Sequence, residues 1–377
     1  MLTWGVYIEE GQRLGVFLCR CGGCIGNVVD LDHVAKATRE LDGVALVQVD
    51  DYLCSMDGLR RMRKTVEKKS LDGIVVGACS PRLRLADFQS ALEHVGVRRQ
   101  FVEMANIREQ CAWIHWWNIA LASAKASDMV GMAVAKVLAT DPSEQGCLAA
   151  VNSRICDGCG ICMSVCRLKA IDVVADPSCK GKKIARIDAK LCDGCGACVA
   201  ACPSGAMDQG CFSNEQIVAQ IDFATNHRDA EAAYRPKVLV FACNWCSYPA
   251  ADLAGVKKLE IDPRFQILRT MCSSRVDPEW ILRAFSRGVD GVLVLAGRPG
   301  ECHYEVGNLR TRKRIALLKQ MISQLGFREE RLMLGYVDSD EPEEFQRKVN
   351  SYVDLVLELG PNPLRMPPAP GKEMPST

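Results

Sequence analysis

Cys156, Cys159, Cys162 and Cys166 stand at C-x2-C-x2-C-x3-C spacing, and Cys192, Cys195, Cys198 and Cys202 repeat it, with Pro203 after the last. Two-residue gaps let one loop curl three thiolates around one face of a metal cube, and Gly158, Gly160, Gly194 and Gly196 permit the tight backbone this requires. Thiolates are soft ligands and suit iron-sulfur centres better than they suit hard cations. Structural zinc sites use paired C-x2-C units rather than a quadruple run, which makes zinc the weaker reading of this segment.

The run and its repeat form the two-cluster pattern of bacterial ferredoxins, in which the fourth cysteine of each run ligates the other cluster. The expected ligand sets are Cys156, Cys159, Cys162 and Cys202 for one 4Fe-4S cluster, and Cys192, Cys195, Cys198 and Cys166 for a second. Arg167 stands where the first motif would usually carry proline. It removes no ligand and sets a positive charge beside the cluster.

The chain holds 21 cysteines in 377 residues, so thiols remain to be explained on both sides of this segment. Cys243 and Cys246 follow KVLVF, Cys272 follows FQILRTM, and Cys302 follows GVLVLAG through the turn RPGE. Ligands of open α/β sheets bind at the carboxyl ends of the strands. Four thiols from three strand ends are the number needed for a 2Fe-2S or a zinc site; a redox dithiol at Cys243 and Cys246 would leave the other two without a role. Towards the N-terminus Cys19, Cys21, Cys54 and Cys79 follow successive apolar runs, and Cys111 follows FVEMA. They are expected to converge on one crevice and hold a further 4Fe-4S cluster, with buried structural cysteines the alternative and Cys24 an ambiguous sixth candidate. The segment CRCGGCIG lacks the first glycine of G-x-G-x-x-G, because Cys21 stands there, so neither FAD nor NAD is expected on this chain.

The elements that must position these thiols can be read from alternation. LGVFLC, VALVQVDDYLC, DGIVVGAC and QFVEMA are β-rich runs separated by helical patterns from Val34, Gly58 and Ala86, which implies a parallel sheet. KVLVFAC, FQILRTMC, DGVLVLAG and RLMLGYV begin a second such unit, with helical patterns near 279–287, 309–325 and 342–358. The expected fold is mixed α/β and α+β. Residues 1–140 form an N-terminal parallel-sheet α/β domain, 150–212 a two-cluster ferredoxin domain, 213–235 a linker helix capped by Ser213 or Asn214, 236–360 a C-terminal parallel-sheet α/β domain, and 361–377 a proline-rich extended tail. The cysteine-dense centre is too poor in large apolar residues to pack without metals or crosslinks.

Composition excludes several classes. Hydrophobic residues at 48% and charged residues at 25% are ordinary for globular protein, and a formal net charge of +1 gives no field favouring nucleic acid. The N-terminal MLTWGVYIEEGQRLGVF places acidic residues where a secretory signal is basic, and residues 113–138, interrupted by His115, Lys125, Asp128 and Lys136, read as an amphipathic helix rather than a bilayer span. A cytoplasmic chain follows, whose cysteines are expected as thiolate ligands rather than disulfides. The basic run RTRKR at 310–314 reads as a solvated helix face, His303 as a packing residue beside Cys302, and Trp113, Trp116 and Trp117 as core or interface.

Three groups of segments carry family resemblances. YLCS at 52, ACSPR at 78 and MANIREQCAWIH at 104 resemble the N-terminal domain of the A-type heterodisulfide reductase subunits, and the ferredoxin segment running into GCFSNEQIVAQI resembles the C-terminal end of the same proteins. FACNWCSY, MCSSRVDPEW and RPGECHYEVGN resemble the delta-subunit family of methyl-viologen-reducing hydrogenase, whose members are 2Fe-2S carriers. That family usually has a further cysteine where Gly297 stands, and the A-type reductase family usually has asparagine where Cys24 stands. The A-type proteins also carry a large FAD-binding domain between their two ends, which residues 140–153 replace here by a short bridge.

What the resemblance implies is a flavin-less fusion, an iron-sulfur electron-transfer subunit of a cytoplasmic heterodisulfide-reductase-like complex of the flavin-based electron-bifurcating type. It would relay single electrons between a dehydrogenase or hydrogenase and a flavin-containing protein of the A-type heterodisulfide reductase family or a catalytic subunit, with no nucleic acid partner and no membrane span. Lacking flavin, it would be a wire rather than the bifurcating centre. The alternatives are a structural or assembly subunit whose clusters never turn over, and a reductase with its own substrate site at the N-terminal cluster; no Ser/His/Asp, paired-carboxylate or Cys/His constellation beside those thiols favours the latter.

Overall fold

LGVFLC and GIVVGA are continuous apolar runs because they are central strands of a sheet covered on both faces. The computed structural model describes residues 12–143, 146–226 and 235–364. Residues 1–11, read above for the absence of a secretory signal, lie outside the described residues, as do 144–145 of the bridge, 227–234 of the linker and 365–377 of the proline-rich stretch. The N-terminal domain runs β1 (Leu14–Cys19), α1 (Leu31–Arg39), β2 (Val44–Asp50), α2 (Met56–Lys69), β3 (Gly73–Ala78), α3 (Pro81–Glu93), β4 (Val102–Asn106) and α4 (Ile119–Leu138). All pairings are parallel in the order β2-β1-β3-β4, and every residue of β1 and β3 is buried. Polar caps start the helices: Asp30 accepts from the amides of Asp32 and His33, Ser55 from that of Gly58, and Asn118 from that of Leu121.

The central segment has little core of its own. It consists of β5 (Ala149–Val151), α5 (Ile161–Val165), β6 (Ile171–Ala175), β7 (Lys183–Ile187) and β8 (Met207–Gln209), with β5 antiparallel to β8 and β6 to β7. Cys147 and Cys211, two cysteines whose spacing suggests no role, form a disulfide, against the general expectation of reduced thiols in this chain. Ala149 pairs with Gln209 in the β5/β8 ladder, and continuing that register two residues outward sets Cys147 opposite Cys211, with Cα atoms 5.0 Å apart.

Helix α6 (Asn214–Asn226) follows, and it is a packed element rather than a mere linker. Ser213 and Gln216 make a reciprocal capping box, the Ser213 hydroxyl accepting from the Gln216 amide and the Gln216 side chain from the Ser213 amide. Ile217 and Ile221 are fully buried, and Gly131 of α4 lies against the Phe223 ring so closely that a Cβ would stand 1.9 Å from it.

The C-terminal domain runs β9 (Val238–Cys243), α7 (Ser247–Val256), β10 (Phe265–Thr270), α8 (Pro278–Ser286), β11 (Gly291–Ala296), α9 (Gly307–Gln324), β12 (Leu332–Tyr336) and α10 (Pro342–Leu359). Its parallel order β10-β9-β11-β12 is the same as in the N-terminal domain, counted strand for strand. Helix α7 was not expected from the sequence: Pro249 lies in its first turn and Tyr248, Ala250, Ala251 and Ala254 are buried together, so it has no amphipathic stripe. Among the described residues, no helix is long and apolar enough to cross a membrane. Lys125 and Lys136, taken as the polar side of an amphipathic helix, are in fact buried. Lys125 donates to Phe265 O at 2.8 Å and Lys136 pairs with Glu103. Of the two readings of the tryptophans, core or interface, core fails for Trp116 and Trp117, which are about half exposed.

The two α/β domains touch directly. The Asp252 carboxylate on α7 accepts from Ser80 Oγ at 2.6 Å, Asn106 Nδ2 at 2.8 Å and Gln110 Nε2 at 2.9 Å. Burial pushes Asp252 up to about 6, against the Ser80 hydrogen bond that draws it down. The folded chain therefore keeps a proton that the unfolded chain releases between about pH 4 and 6, and this contribution to stability declines as pH rises through that window. Asp252→Ala, which strands three buried donors, should cost about 3 kcal/mol, read as faster amide exchange in α7. In Asp252→Asn the decline between pH 4 and 6 should disappear from urea midpoints; a slope equal to wild type would show that another group causes it.

Candidate metal centres

Each ferredoxin loop walls a cavity with thiols from both runs. One cavity of about 270 Å³ is lined by Cys156, Cys159, Cys162 and Cys202. The other, about 390 Å³, is lined by Cys166, Cys192, Cys195 and Cys198. Three thiols of one run thus meet the fourth of the other, the donor set a 4Fe-4S cluster takes in this pattern. Gly194 and Gly196 have φ of +69° and +75°, and a Cβ on Gly194 would lie 2.5 Å from Cys147 O. The amides of Ala185 and Ala170 donate to Cys156 Sγ and Cys166 Sγ at 3.4 and 3.2 Å. Burial pushes Cys195 up to about 11 and Cys198 up to about 12, so without a metal these groups hold their protons, and binding one must release them.

The third group of thiols collects at the carboxyl end of the second parallel sheet. Cys243 ends β9, Cys246 opens α7, Cys272 lies two residues past β10, and Cys302 lies between β11 and α9. Cys243, Cys246 and Cys272 are buried, and Cys302 is half-buried. Cys302 is drawn down to about 5, chiefly by a hydrogen bond from the Cys272 thiol, which is itself pushed well up. The Ser274 hydroxyl adds a contact to Cys272 Sγ at 3.2 Å. Two glycines make room for the sulfurs. A Cβ on Gly307 would stand 2.5 Å from Cys272 Sγ and 3.3 Å from Cys302 Sγ, and one on Gly297 would stand 2.6 Å from Cys246 Sγ. The crowding fits four sulfurs closing on a small group.

In the N-terminal domain Cys19 and Cys21 share a hydrogen bond, and Cys54 and Cys79, after the ends of β2 and β3, lie within electrostatic reach of this pair, though among the described residues no three potential ligands are grouped closely enough to hold a metal ion. Cys21 is drawn down to about 5, first by the Cys19 thiol and then by Arg108, whose Nη1 stands 3.3 Å from Cys21 Sγ. Cys79 is pushed up to about 11 by burial and feels the charges of Cys21 and Cys54. Cys24 is exposed on the same turn. Cys111 does not join them. Its fully buried thiol donates to Ala122 O at 2.9 Å, and its charged neighbours are Lys125 and Asp128. The π-helical turn Arg108–Ala112 aims Arg108 at the thiols and Cys111 away from them.

Sequence reasoning missed the residues that join the second ferredoxin loop to the third site. Trp245 stacks on His303 at 3.9 Å and donates to the Tyr304 hydroxyl at 3.1 Å. That hydroxyl reaches Asp193 O at 3.5 Å. Arg167 donates to Glu305 Oε1 at 2.8 Å and Asp193 Oδ2 at 3.1 Å, so the residue that replaced proline clamps two domains. The basic run at 310–314 is not wholly solvated either, because Arg314 donates to the carbonyls of Ser274 and Val276. Only the oddity of Arg167 was visible as a signal; the others depend on which loops face each other.

Residues 238–360 match the family of the methyl-viologen-reducing hydrogenase delta subunit, and residues 155–206 match the 4Fe-4S dicluster domain. Over 244 residues the chain is 41% identical to the A-type component of the ferredoxin:CoB-CoM heterodisulfide reductase of Methanosarcina mazei, a match covering 65% of this chain and 29% of that protein. Over 132 residues it is 40% identical to the D-type iron-sulfur component of the F420-non-reducing vhc hydrogenase of Methanococcus voltae, covering 35% of this chain and 92% of that protein. The chain thus spans under a third of the length of the Methanosarcina relative.

The placement of the N-terminal thiols has a direct consequence. Cys79→Ser should lower the iron bound by the anaerobically purified chain by about 4 atoms, and Cys111→Ser should leave it unchanged. Equal losses from both variants would show that Cys111 turns into the site. Gly297→Ala, pressing on Cys246 Sγ, should lower the iron of the third site and spare that of the ferredoxin loops.

Proposed function

Because the chain belongs to the methyl-viologen-reducing hydrogenase delta-subunit family through residues 238–360, joined to an N-terminal part like that of the A-type heterodisulfide reductase proteins, we propose that it is an iron-sulfur electron-transfer subunit of a heterodisulfide-reductase-like complex. The observation that carries this reading is the direct seam between the third thiol site and the second ferredoxin loop. Tyr304 and Glu305, immediately after Cys302, connect to Asp193, which lies between Cys192 and Cys195: Tyr304 directly and Glu305 through Arg167. A structural scaffold has no need of thiol sites abutting in this way; a relay does.

Iron-sulfur clusters, when bound, supply one-electron redox chemistry without proton transfer. In this reading Cys243, Cys246, Cys272 and Cys302 hold a 2Fe-2S cluster, the two ferredoxin sets hold 4Fe-4S clusters, and Cys19, Cys21, Cys54 and Cys79 hold a further 4Fe-4S cluster. The C-terminal site faces a dehydrogenase or hydrogenase, and the N-terminal site faces a flavin-containing or catalytic partner. The chain's own residues fix the distances, bury half of these cysteines and supply hydrogen bonds to their sulfurs. Only residues 139–148 connect α4 to β5, where the resemblance to the A-type reductase proteins would place a flavin domain, so pair-splitting chemistry belongs to a partner.

Full loading on this assignment requires about 14 iron atoms per chain, and about 8 would confine the clusters to the ferredoxin segment. Reduction of the anaerobically purified chain through its copurifying partner should develop EPR signals from the ferredoxin clusters within turnover time. Clusters that load fully yet stay silent during turnover would leave only the scaffold reading.

A further inference from the structure

Arg275 is a buried cation without an adequate anion. Its side chain has 0% exposure, yet it lies on the one-turn segment after β10 that faces the ferredoxin domain. One guanidinium nitrogen, Nη2, donates to Phe212 O at 3.1 Å and Asn214 Oδ1 at 3.0 Å, and stands 3.4 Å from Asp208 Oδ1. The other two, Nε and Nη1, are buried and have no partner among the described residues. Its guanidinium carbon lies 4.2 Å from the centre of the Trp280 ring. Asp208 is a partial counter-charge at best, since its side chain is 36% exposed and burial pushes it up to about 7. An arginine keeps its charge at neutral pH even when burial lowers it, as here to about 10, and an uncompensated buried charge costs several kcal/mol.

What lies on its other side is the second ferredoxin site. The aliphatic part of Arg275 crosses Gly196 so closely that a Cβ there would lie 2.4 Å from Cδ and 2.9 Å from Cγ. Gly196 lines the cavity walled by Cys166, Cys192, Cys195 and Cys198, and Cys198 is among the charges Arg275 feels. The described lining of the first cavity contains no lysine or arginine. Arg167, which also lines the second cavity, is matched by Asp193 and Glu305. Lys183 stands against Gly158 of the first cavity as Arg275 stands against Gly196 of the second, but Lys183 is exposed, so among the described residues only the second site has a fully buried, incompletely partnered cation beside it.

We propose that Arg275, a residue of the C-terminal domain, raises the reduction potential of the second ferredoxin site above that of the first, and so makes it the site that exchanges electrons with the C-terminal thiol centre. The inference rests on the iron-sulfur reading of these loops. Reduction adds one electron and one negative charge within the four-thiolate shell, and a guanidinium held in a low-dielectric seam stabilises that added charge. The orientation is set by Trp280 of its own domain and, across the boundary, by Asn214 and Phe212. Docking of the C-terminal domain thereby sets the ferredoxin potential.

The test is an EPR-monitored redox titration of the full, anaerobically purified chain, with iron content measured on the same samples. In Arg275→Met one of the two ferredoxin couples should fall by at least tenfold in its reduced-to-oxidised ratio at fixed potential, which is 59 mV for a one-electron couple, while the other holds its midpoint. Arg275→Lys should keep most of the wild-type value. Asp208→Asn, titrated at pH 9 where the wild-type carboxylate is ionised, should move the same couple upward, and this variant decides the matter if Arg275→Met does not load iron. Unchanged midpoints in a fully loaded Arg275→Met, an equal shift of both couples, or an unmoved Asp208→Asn would overturn the proposal. A wild-type chain without two ferredoxin couples would instead overturn the iron-sulfur reading on which it rests.

Discussion

Thiolates brought close enough to share one metal centre repel one another, and the rest of the structure answers that constraint. Two unit charges 4 Å apart interact by about 4 kcal/mol at the effective dielectric of a protein surface, so four together in a buried pocket are untenable without compensation. Burial is the main cause that pushes Cys79, Cys195 and Cys198 up to about 11 or 12, which keeps those thiols protonated without a metal, whereas Cys21 and Cys302, drawn down to about 5, each take a hydrogen bond from a neighbouring thiol. Loading a metal at such sites would trade protons for it, and the fold offers the sulfurs compensating contacts: backbone amides at Cys156 and Cys166, the Ser274 hydroxyl at Cys272, and Arg108 at Cys21.

The two α/β domains meet the constraint in the same way. Both have strands in the order two, one, three, four, and both set their thiols where the central strands end. Cys19 and Cys21 after β1 correspond to Cys243 and Cys246 after β9, and Cys54 after β2 to Cys272 after β10. Ala78-Cys79 after β3 corresponds to Ala296-Gly297 after β11. In the C-terminal domain the fourth sulfur comes instead from Cys302, further along the loop, and Gly297 gives Cys246 the space that a side chain would take. One scaffold thus carries two different arrangements of thiols, the second with a thiol on a loop in place of one at a strand end.

Much of this was legible in the sequence because spacing encodes it. The ferredoxin quadruplets are local, and the central strands are buried on both faces, so their apolar runs give them away. Cys111 misled because position after a strand says nothing of which way a π-helical turn faces, and here Arg108 takes the inward place. The Cys147–Cys211 bond follows from a strand register between residues 64 apart in sequence, which no local pattern reports. Helix α7 lacked a polar face because both its sides are covered, one by its own sheet and the other by the N-terminal domain. Arg275 carries no signal in the sequence, because the seam that buries it is formed with a domain that lies on the other side of α6 in the chain.

The same packing bears on how electrons could pass. A carrier that worked by swinging would need its sites on separable bodies, with the contacts between them exposed and weakly held. Here Asp222 of α6 binds both Arg283 of α8 and Arg287 just after it, Gln216 reaches Thr140 at 2.8 Å, and Gly131 admits the Phe223 ring. Asp252 ties α7 to the end of β4 and the start of α3. Most of these contacts are buried or partly buried, so separating the domains would expose carboxylates and amides whose partners lie across the seam, at a cost of about 1 to 3 kcal/mol for each group left unpaired. The distances between the thiol sites are therefore properties of the fold, and on the electron-transfer reading proposed above what remains adjustable is the potential at each site.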